Sequence, residues 1–463
     1  MKKIFNLIKG HKKMAISGAI FLLLLFGAIF IYTNTFHEVN VKPDKNYNEL
    51  FSKEQLGNFE RVLPEYSTDV SIGYLNKDGT KSIYIYASPI NFINSQGQLN
   101  LIDTRLTNIK DKELKKEGYV YTAESNDILP LYPKKIKTGI KLVNNDIEYT
   151  FTPKFKNNAF PVYQQKTNFI GDKKNMLTYT DSGKKYSFYP SYCGTNCEIS
   201  YNGSKDATAI FELTVQEGVT LRKEPGHYLV LSEVINDTDT IVGVIQAPLV
   251  KNKSGDVSYN NKVDFTKNDD GSYEVIFTFD KNYIKSGSKV FLSFEMARNN
   301  QPDNALYSEL PDLNFAYLKN FSVIGNSKEY GIGRLMVRFK FAKDLNISSG
   351  QVKDAYYYAY DLSGNKVGDT FELVSVLEDW CSIMGNWNME YKTGDRTSLL
   401  ENSGYEMKFD IKNEVMKWCD DPDGQMEHNG VEMKSTGENE KVYNILLSND
   451  NSLYRNMTEI ILK

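Results

Sequence analysis

The chain has 463 residues, 41% of them hydrophobic and 25% charged, which suits two or three domains and excludes both wholesale disorder and a polytopic membrane protein. Its formal net charge is only -4, and no basic stretch lies beyond the N-terminus, so nucleic acid is not an expected partner. The 31 glycines and 13 prolines follow no collagen-like period.

Residues 1–13 carry Lys2, Lys3, Lys9, Lys12 and Lys13 and no acid. Met14–Tyr32 (MAISGAIFLLLLFGAIFIY) then runs for 19 residues without a charge. A helix of that length rises about 28 Å, close to the hydrocarbon thickness of a bilayer. Lysines on its N-terminal flank predict a cytoplasmic tail. The sequence therefore predicts a single-pass signal anchor at 14–32 in the cell membrane, with the C-terminal part extracellular. A cleaved signal peptide is the alternative, but TNTFHEV after Tyr32 offers no small-x-small site. Residues 1–32 hold five of the 55 basic residues and no acid, so the remainder carries 50 against 59, a formal charge of -9. That disfavours anionic lipid or DNA and is neutral toward uncharged glycans.

Residues 33–75 read as a polar stalk with a short helix around Tyr47–Arg61. From about Lys81 the dominant signal is period two. In YEVIFTF (273–279), VFLSFEM (290–296), LMVRFKF (335–341) and MKFDI (407–411), apolar and polar residues alternate, the mark of strands with one face on a core. NKDG, NSQG, NDDG and LSGN turn signals separate such runs, and no long amphipathic helix interrupts them. The expected fold is all-β, with two β-sandwich or jelly-roll-like regions, 76–298 and 299–463. The boundary follows from the ARNNQPDN connector and from a shift in composition: Trp380, Trp387 and Trp418 all lie in the last quarter. One helix is predicted at Asp410–Trp418, capped by Asp410, with Ile411, Val415 and Trp418 on one face.

Cys193 and Cys197 are close in sequence (CGTNC), while Cys381 and Cys419 each follow a tryptophan. An even count outside the cell points to two disulfides, 193–197 and 381–419, with free buried thiols as the alternative. A 381–419 bridge would contribute about 4 kcal/mol in the chain-entropy model. With four histidines in all and no C-x2-C pair, no metal is expected, and no cofactor either. The acidic run DDPDGQMEHNG (420–430) lacks the EF-hand order and reads as a solvated turn. His227 reads as a strand-flanking residue, and no nucleophile elbow or phosphate-cradling loop occurs. Nothing points to an enzyme. The better recognition candidate is AYYYAY (355–360). On a strand, Ala355, Tyr357 and Ala359 share one face, leaving Tyr356, Tyr358 and Tyr360 as an aromatic strip on the other, suited to stacking on sugar rings. Alternatively, a neighbouring strand or the upstream region covers these tyrosines.

Four stretches of the C-terminal region resemble the DNRLRE domain family, a β-rich module of bacterial cell-surface proteins: QPDNALYSELPDLNFAYLKNFSVIGNS, GIGRLMVRFKF, VKDAYYYAYDLSG and FDIKNEVMKWCDDPDGQMEHNGVEMK. Of the eponymous hexapeptide Asp303, Asn304 and Leu306 are kept, while Ala305, Tyr307 and Ser308 depart from it, and the Trp387-Asn388 pair lacks the usual proline. A weaker likeness covers 80–295. There IYIYASPINFINSQGQLNLIDTRL resembles the segment upstream of such domains in wall-associated YD-repeat proteins, on Pro89, Asn91, Gly97, Ile102, Asp103 and Leu106. Without YD repeats in the chain, the delivery function of those large proteins is not carried over. DNRLRE-like modules are similar to carbohydrate-binding jelly rolls, which implies glycan binding and reads Trp387, Trp418 and Asp410 as core and cap. The expected function is a membrane-anchored extracellular protein that binds polysaccharide or cell-wall glycan without catalysis. The alternatives are an envelope scaffold binding another protein and a polysaccharide-degrading enzyme with a C-terminal binding module.

Overall fold

The computed structural model describes residues 51–463 except 52, 87–88, 95, 145–146, 227, 236, 297–302, 319, 339–344, 364–369, 381–384, 390, 402–404, 422–428, 439, 441 and 448–455. The expected anchor 14–32, the tail before it, His227, Cys381 and most of the acidic run 420–430 lie outside the described residues. All described residues fall within Lys45–Lys463. Among them no helix is long and apolar enough to cross a membrane.

The described fold is predominantly β, as expected from the period-two pattern, and its strand pairings are antiparallel. Four large sheets account for it. An eight-stranded sheet runs in spatial order from Lys262–Lys267 through Tyr273–Thr278, Thr208–Val215, Ile147–Pro153, Ile140–Asn144, Leu129–Pro133 and Tyr119–Ser125 to Asp103–Asn108. It faces a ten-stranded sheet whose centre is Lys184–Ser191, Gly194–Tyr201 and Lys289–Met296. Between the two lies the largest core, where the rings of Phe151 and Phe294 stack 4.0 Å apart. Both rings are fully buried, so truncating Phe294 to alanine would cost about 3–5 kcal/mol.

The second pair is a six-stranded sheet facing a seven-stranded one. The six-stranded sheet has the order Phe59–Leu63, Ser71–Asn76, Lys81–Tyr86, Met457–Leu462, Val352–Tyr360, Glu406–Asp410. It crosses two boundaries drawn from composition. Phe59–Leu63 and Ser71–Asn76, which fall largely in the expected stalk, are strands of this sheet, and the region from 299 does not close on itself: the C-terminal strand pairs with Lys81–Tyr86 on one side and Val352–Tyr360 on the other. The reason is burial. Ile83 and Ile85 need an apolar face, and they find it beside Ile460, Ala355 and Phe409 in the second core. Ile411, Val415 and Trp418 enter that core from one face of a helix at Lys412–Cys419, where Asp410 Oδ1 accepts from the Lys412 N–H.

The two pairs meet back to back. Tyr228, Val230, Val244 and Phe291 on the outer face of the ten-stranded sheet, with Phe169 of an adjoining loop, pack against Tyr307, Val323 and Ile445 of the seven-stranded sheet and Phe315 and Phe321 of its connections. Consequently Lys289–Met296 is buried on both faces, not on the one face its alternation predicted. Ser293 and Glu295 look solvent-facing in sequence but lie in the seam, where the Ser293 hydroxyl donates to Glu295 at 2.7 Å and Gln246 Nε2 donates to the same carboxylate at 3.3 Å. Gly333 is required where its strand, Gly331–Val337, passes beside Ser322–Ser327, because a Cβ there would collide with the Val323 carbonyl.

Candidate functional site

The strand Val352–Tyr360 divides its side chains as the sequence predicts: Ala355, Tyr357 and Ala359 are buried in the second core, and Tyr356, Tyr358 and Tyr360 lie half-buried on the outer face. The three do not form one open strip. Tyr360 belongs to the seam, its hydroxyl donating to the Ile170 carbonyl at 3.2 Å and its ring stacking beside Tyr405. Tyr356 and Tyr358 form a shorter ledge. Lys408, on the neighbouring strand and directly opposite Tyr358, holds its ammonium 3.6 Å from the Tyr356 ring centroid and 5.4 Å from that of Tyr358. A cation over an aromatic face contributes about 0.5–1 kcal/mol where solvent is close, so it is displaceable by a ligand that stacks better.

On the other side of the ledge stands Glu459. Its two carboxylate oxygens accept from the Tyr358 hydroxyl at 2.8 Å and the Tyr84 hydroxyl at 3.0 Å. Burial, reinforced by this carboxylate, pushes both phenols well above the usual tyrosine range, so they stay protonated donors. Beyond Tyr84 the face closes. A short helix at Lys53–Asn58 is flanked by Phe51 and Phe59, and Phe59 stacks on Tyr74 at 3.9 Å while Phe51 meets Tyr84 edge-on at 4.8 Å. The open part is therefore Tyr356, Tyr358, Lys408 and Glu459, a pair of aromatic rings beside one cation, with the carboxylates of Asp354, Asp410 and Glu406 also acting on them. Such a set offers stacking area and both hydrogen-bond donors and acceptors, and no nucleophile–base pair.

A second aromatic region lies on the seven-stranded sheet. Trp418 and Trp380 are core residues, but Trp387 is only half-buried, with the Arg334 guanidinium 5.2 Å from its ring. Arg334 is in turn held by Glu438 at 2.7 Å and Glu432 at 3.4 Å. The sequence reading placed Trp387 in the core by resemblance; its neighbours Asn386, Asn388 and Met389 are the polar and exposed signal that marks an edge position.

Cys197 is a fully buried thiol, pushed well above the usual range by burial, and the bridge expected between Cys193 and Cys197 is not formed. Cys193 sits at the turn between Lys184–Ser191 and Gly194–Tyr201, and Cys197 lies four residues along the second strand. An extended chain separates them by about 13 Å, beyond the roughly 7 Å limit between disulfide Cα atoms. They also pack into different cores. The 381–419 pairing involves Cys381, which lies outside the described residues.

Among the described residues no group of three or more His, Cys, Asp or Glu side chains is placed to hold a metal ion. Two buried glutamates, Glu198 and Glu295, stand on adjacent strands, but Gly194 and not Glu198 faces Glu295. Four residues of strand separate them by about 13 Å, wider than the roughly 5–10 Å between paired glycosidase carboxylates. A scan against protein-family models finds no match, and the search of curated proteins finds none either.

Proposed function

We propose that the chain is a membrane-anchored, non-catalytic surface protein that binds polysaccharide or cell-wall glycan, its exported part built as two β-sandwiches, the second combining the DNRLRE-like residues with strands from 59–86. The observation that carries this reading is the ledge of Tyr356 and Tyr358, half-buried side by side on the outer face of the six-stranded sheet while Ala355, Tyr357 and Ala359 fill the core beneath. Sugar rings present apolar C–H faces and peripheral hydroxyls, which match aromatic faces bordered by Lys408 and Glu459. The resemblance of residues 301–463 to surface modules, and the apolar span at 14–32, support the address. A glycan array probed with the full chain in detergent tests it. Binding to a glycan class, lost in Tyr356→Ala/Tyr358→Ala, supports the proposal; an empty array, or equal binding by the double variant, overturns it.

A scaffold reading draws on the nine-residue strand Thr393–Glu401, which stands at the edge of the seven-stranded sheet among the described residues and whose Leu399 is 50% exposed. Crosslinking whole cells and recovering one stoichiometric protein partner, with no glycan affinity, favours that reading.

A further inference from the structure

The outer face of the ten-stranded sheet carries a second, chemically distinct surface at the margin of the apolar seam, where the Lys251 ammonium lies 4.7 Å from the Phe169 ring. Cross-strand neighbours share a face, and the register reads Thr180, Lys185, Ser200, Lys289, Lys251 across five strands. Lys185, Lys289 and Lys251 therefore stand in one row. Lys166 reaches the next row from the edge strand Val162–Thr167, donating to Thr178 Oγ1 and Ser187 Oγ at 3.0 Å each.

Two of these ammonium groups converge on one loop. Lys289 donates to the carbonyls of Thr167 at 2.7 Å and Asn168 at 3.4 Å, and Lys251 to that of Phe169 at 2.6 Å. Carbonyl oxygens satisfy hydrogen bonds but cancel no charge. The carboxylate that acts on both Lys166 and Lys251 is Glu198, and it is already engaged by the Phe169 N–H at 2.6 Å and the Tyr189 hydroxyl at 2.9 Å. Burial raises its proton affinity, so it neutralises its neighbours only in part. None of the four lysines forms an ion pair among the described residues. Burial and mutual repulsion hold Lys251 down at about 8, and Lys166 is lowered by burial and by Lys185. At the centre of the loop, Asn168 is 2% exposed and its side-chain Nδ2 has no acceptor. A concentrated positive surface with a spare donor, on an exported part that is otherwise acidic, is electrostatically complementary to an oxyanion.

We propose that Lys166, Lys185, Lys251 and Lys289 form a binding site for a phosphate- or carboxylate-bearing ligand, seated over the loop 167–172. This site lies on a different sheet from the tyrosine ledge and does not depend on it. The Lys185 side chain is exposed and has no hydrogen-bond partner among the described residues, so Lys185→Glu reverses the charge without removing a fold contact.

The test is calorimetric titration of the full chain in detergent with three probes: inorganic phosphate, polyphosphate and polygalacturonate. At least one is expected to bind, with affinity falling between about 50 and 300 mM NaCl as the Debye length shrinks from roughly 14 to 6 Å. Lys185→Glu is expected to weaken it about tenfold, and Lys116→Glu, on a separate exposed helix, to leave it unchanged. The probe that binds identifies the source as free phosphate, phosphate polymer or uronate polymer. Acetylation footprinting read by mass spectrometry gives an independent readout, with the bound probe protecting Lys166, Lys251 and Lys289. No heat with any probe at low salt, equal losses in both variants, or unprotected lysines in the bound state would overturn the proposal.

Discussion

Ile460 is the position where the joining of the chain's two distant segments is most exposed to test. It is fully buried in the second core, with Ile83 opposite it on one neighbouring strand and Ala355 on the other. Ile460→Ala removes three carbons, about 2.4 kcal/mol of transfer free energy at roughly 0.8 per methylene. A cavity term adds to this, because Ala355 is too small to fill the gap and strands bonded on both sides cannot close it. The expected loss is about 3–4 kcal/mol, in the upper half of the range for Ile→Ala. Denaturant unfolding followed by circular dichroism measures the loss. Hydrogen exchange read by peptide adds the decisive element: amides of 81–86 and 352–360 should lose protection together, since both ladders share the altered strand. A loss below about 1 kcal/mol, or faster exchange in 352–360 with 81–86 unchanged, would refute the shared sheet.

Two further outcomes follow from buried ionisable groups. Lys251 titrates near 8 in the folded chain against about 10.4 unfolded, so between those values the unfolded state binds more protons and stability rises with pH. The rise is about 1–3 kcal/mol, and Lys251→Met should flatten it; identical pH–stability curves for the two proteins between pH 8 and 10 would contradict the assignment. Cys197, fully buried and with its thiol pushed up by burial, should resist thiol reagents in the native chain and react only after unfolding. A peptide map of the non-reduced protein with Cys193 and Cys197 joined would refute this.

The strands were legible in the sequence where one face meets solvent. Tyr273–Thr278 shows its burial pattern as strict alternation, and the Ala/Tyr alternation of 355–360 correctly separates core from surface. Legibility failed where both faces are buried. Ser293 and Glu295 mimic a solvated face, and partners such as Gln246 and Asn196, supplied by other segments, make them tolerable inside. Strand pairing over long separation was equally hidden. Nothing in the period of KSIYIY (81–86) specifies Met457–Leu462 as its neighbour, because an apolar face encodes the need for a partner and not its identity. The candidate ledge was half legible: the outward tyrosines follow from period two, whereas Lys408 over Tyr356 and the cover of Phe51 and Phe59 at Tyr84 depend on segments far away in sequence.

The central claim is adhesion to a glycan without chemistry on it. Co-sedimentation of the full chain in detergent with insoluble cell-wall polysaccharide, followed by measurement of soluble reducing ends, tests both halves at once. The account predicts that the wild-type chain pellets with the polymer, that Tyr356→Ala/Tyr358→Ala stays in the supernatant, and that no sugar is released by either. Release of soluble saccharide by the wild-type chain, or equal pelleting of the double variant, would contradict it.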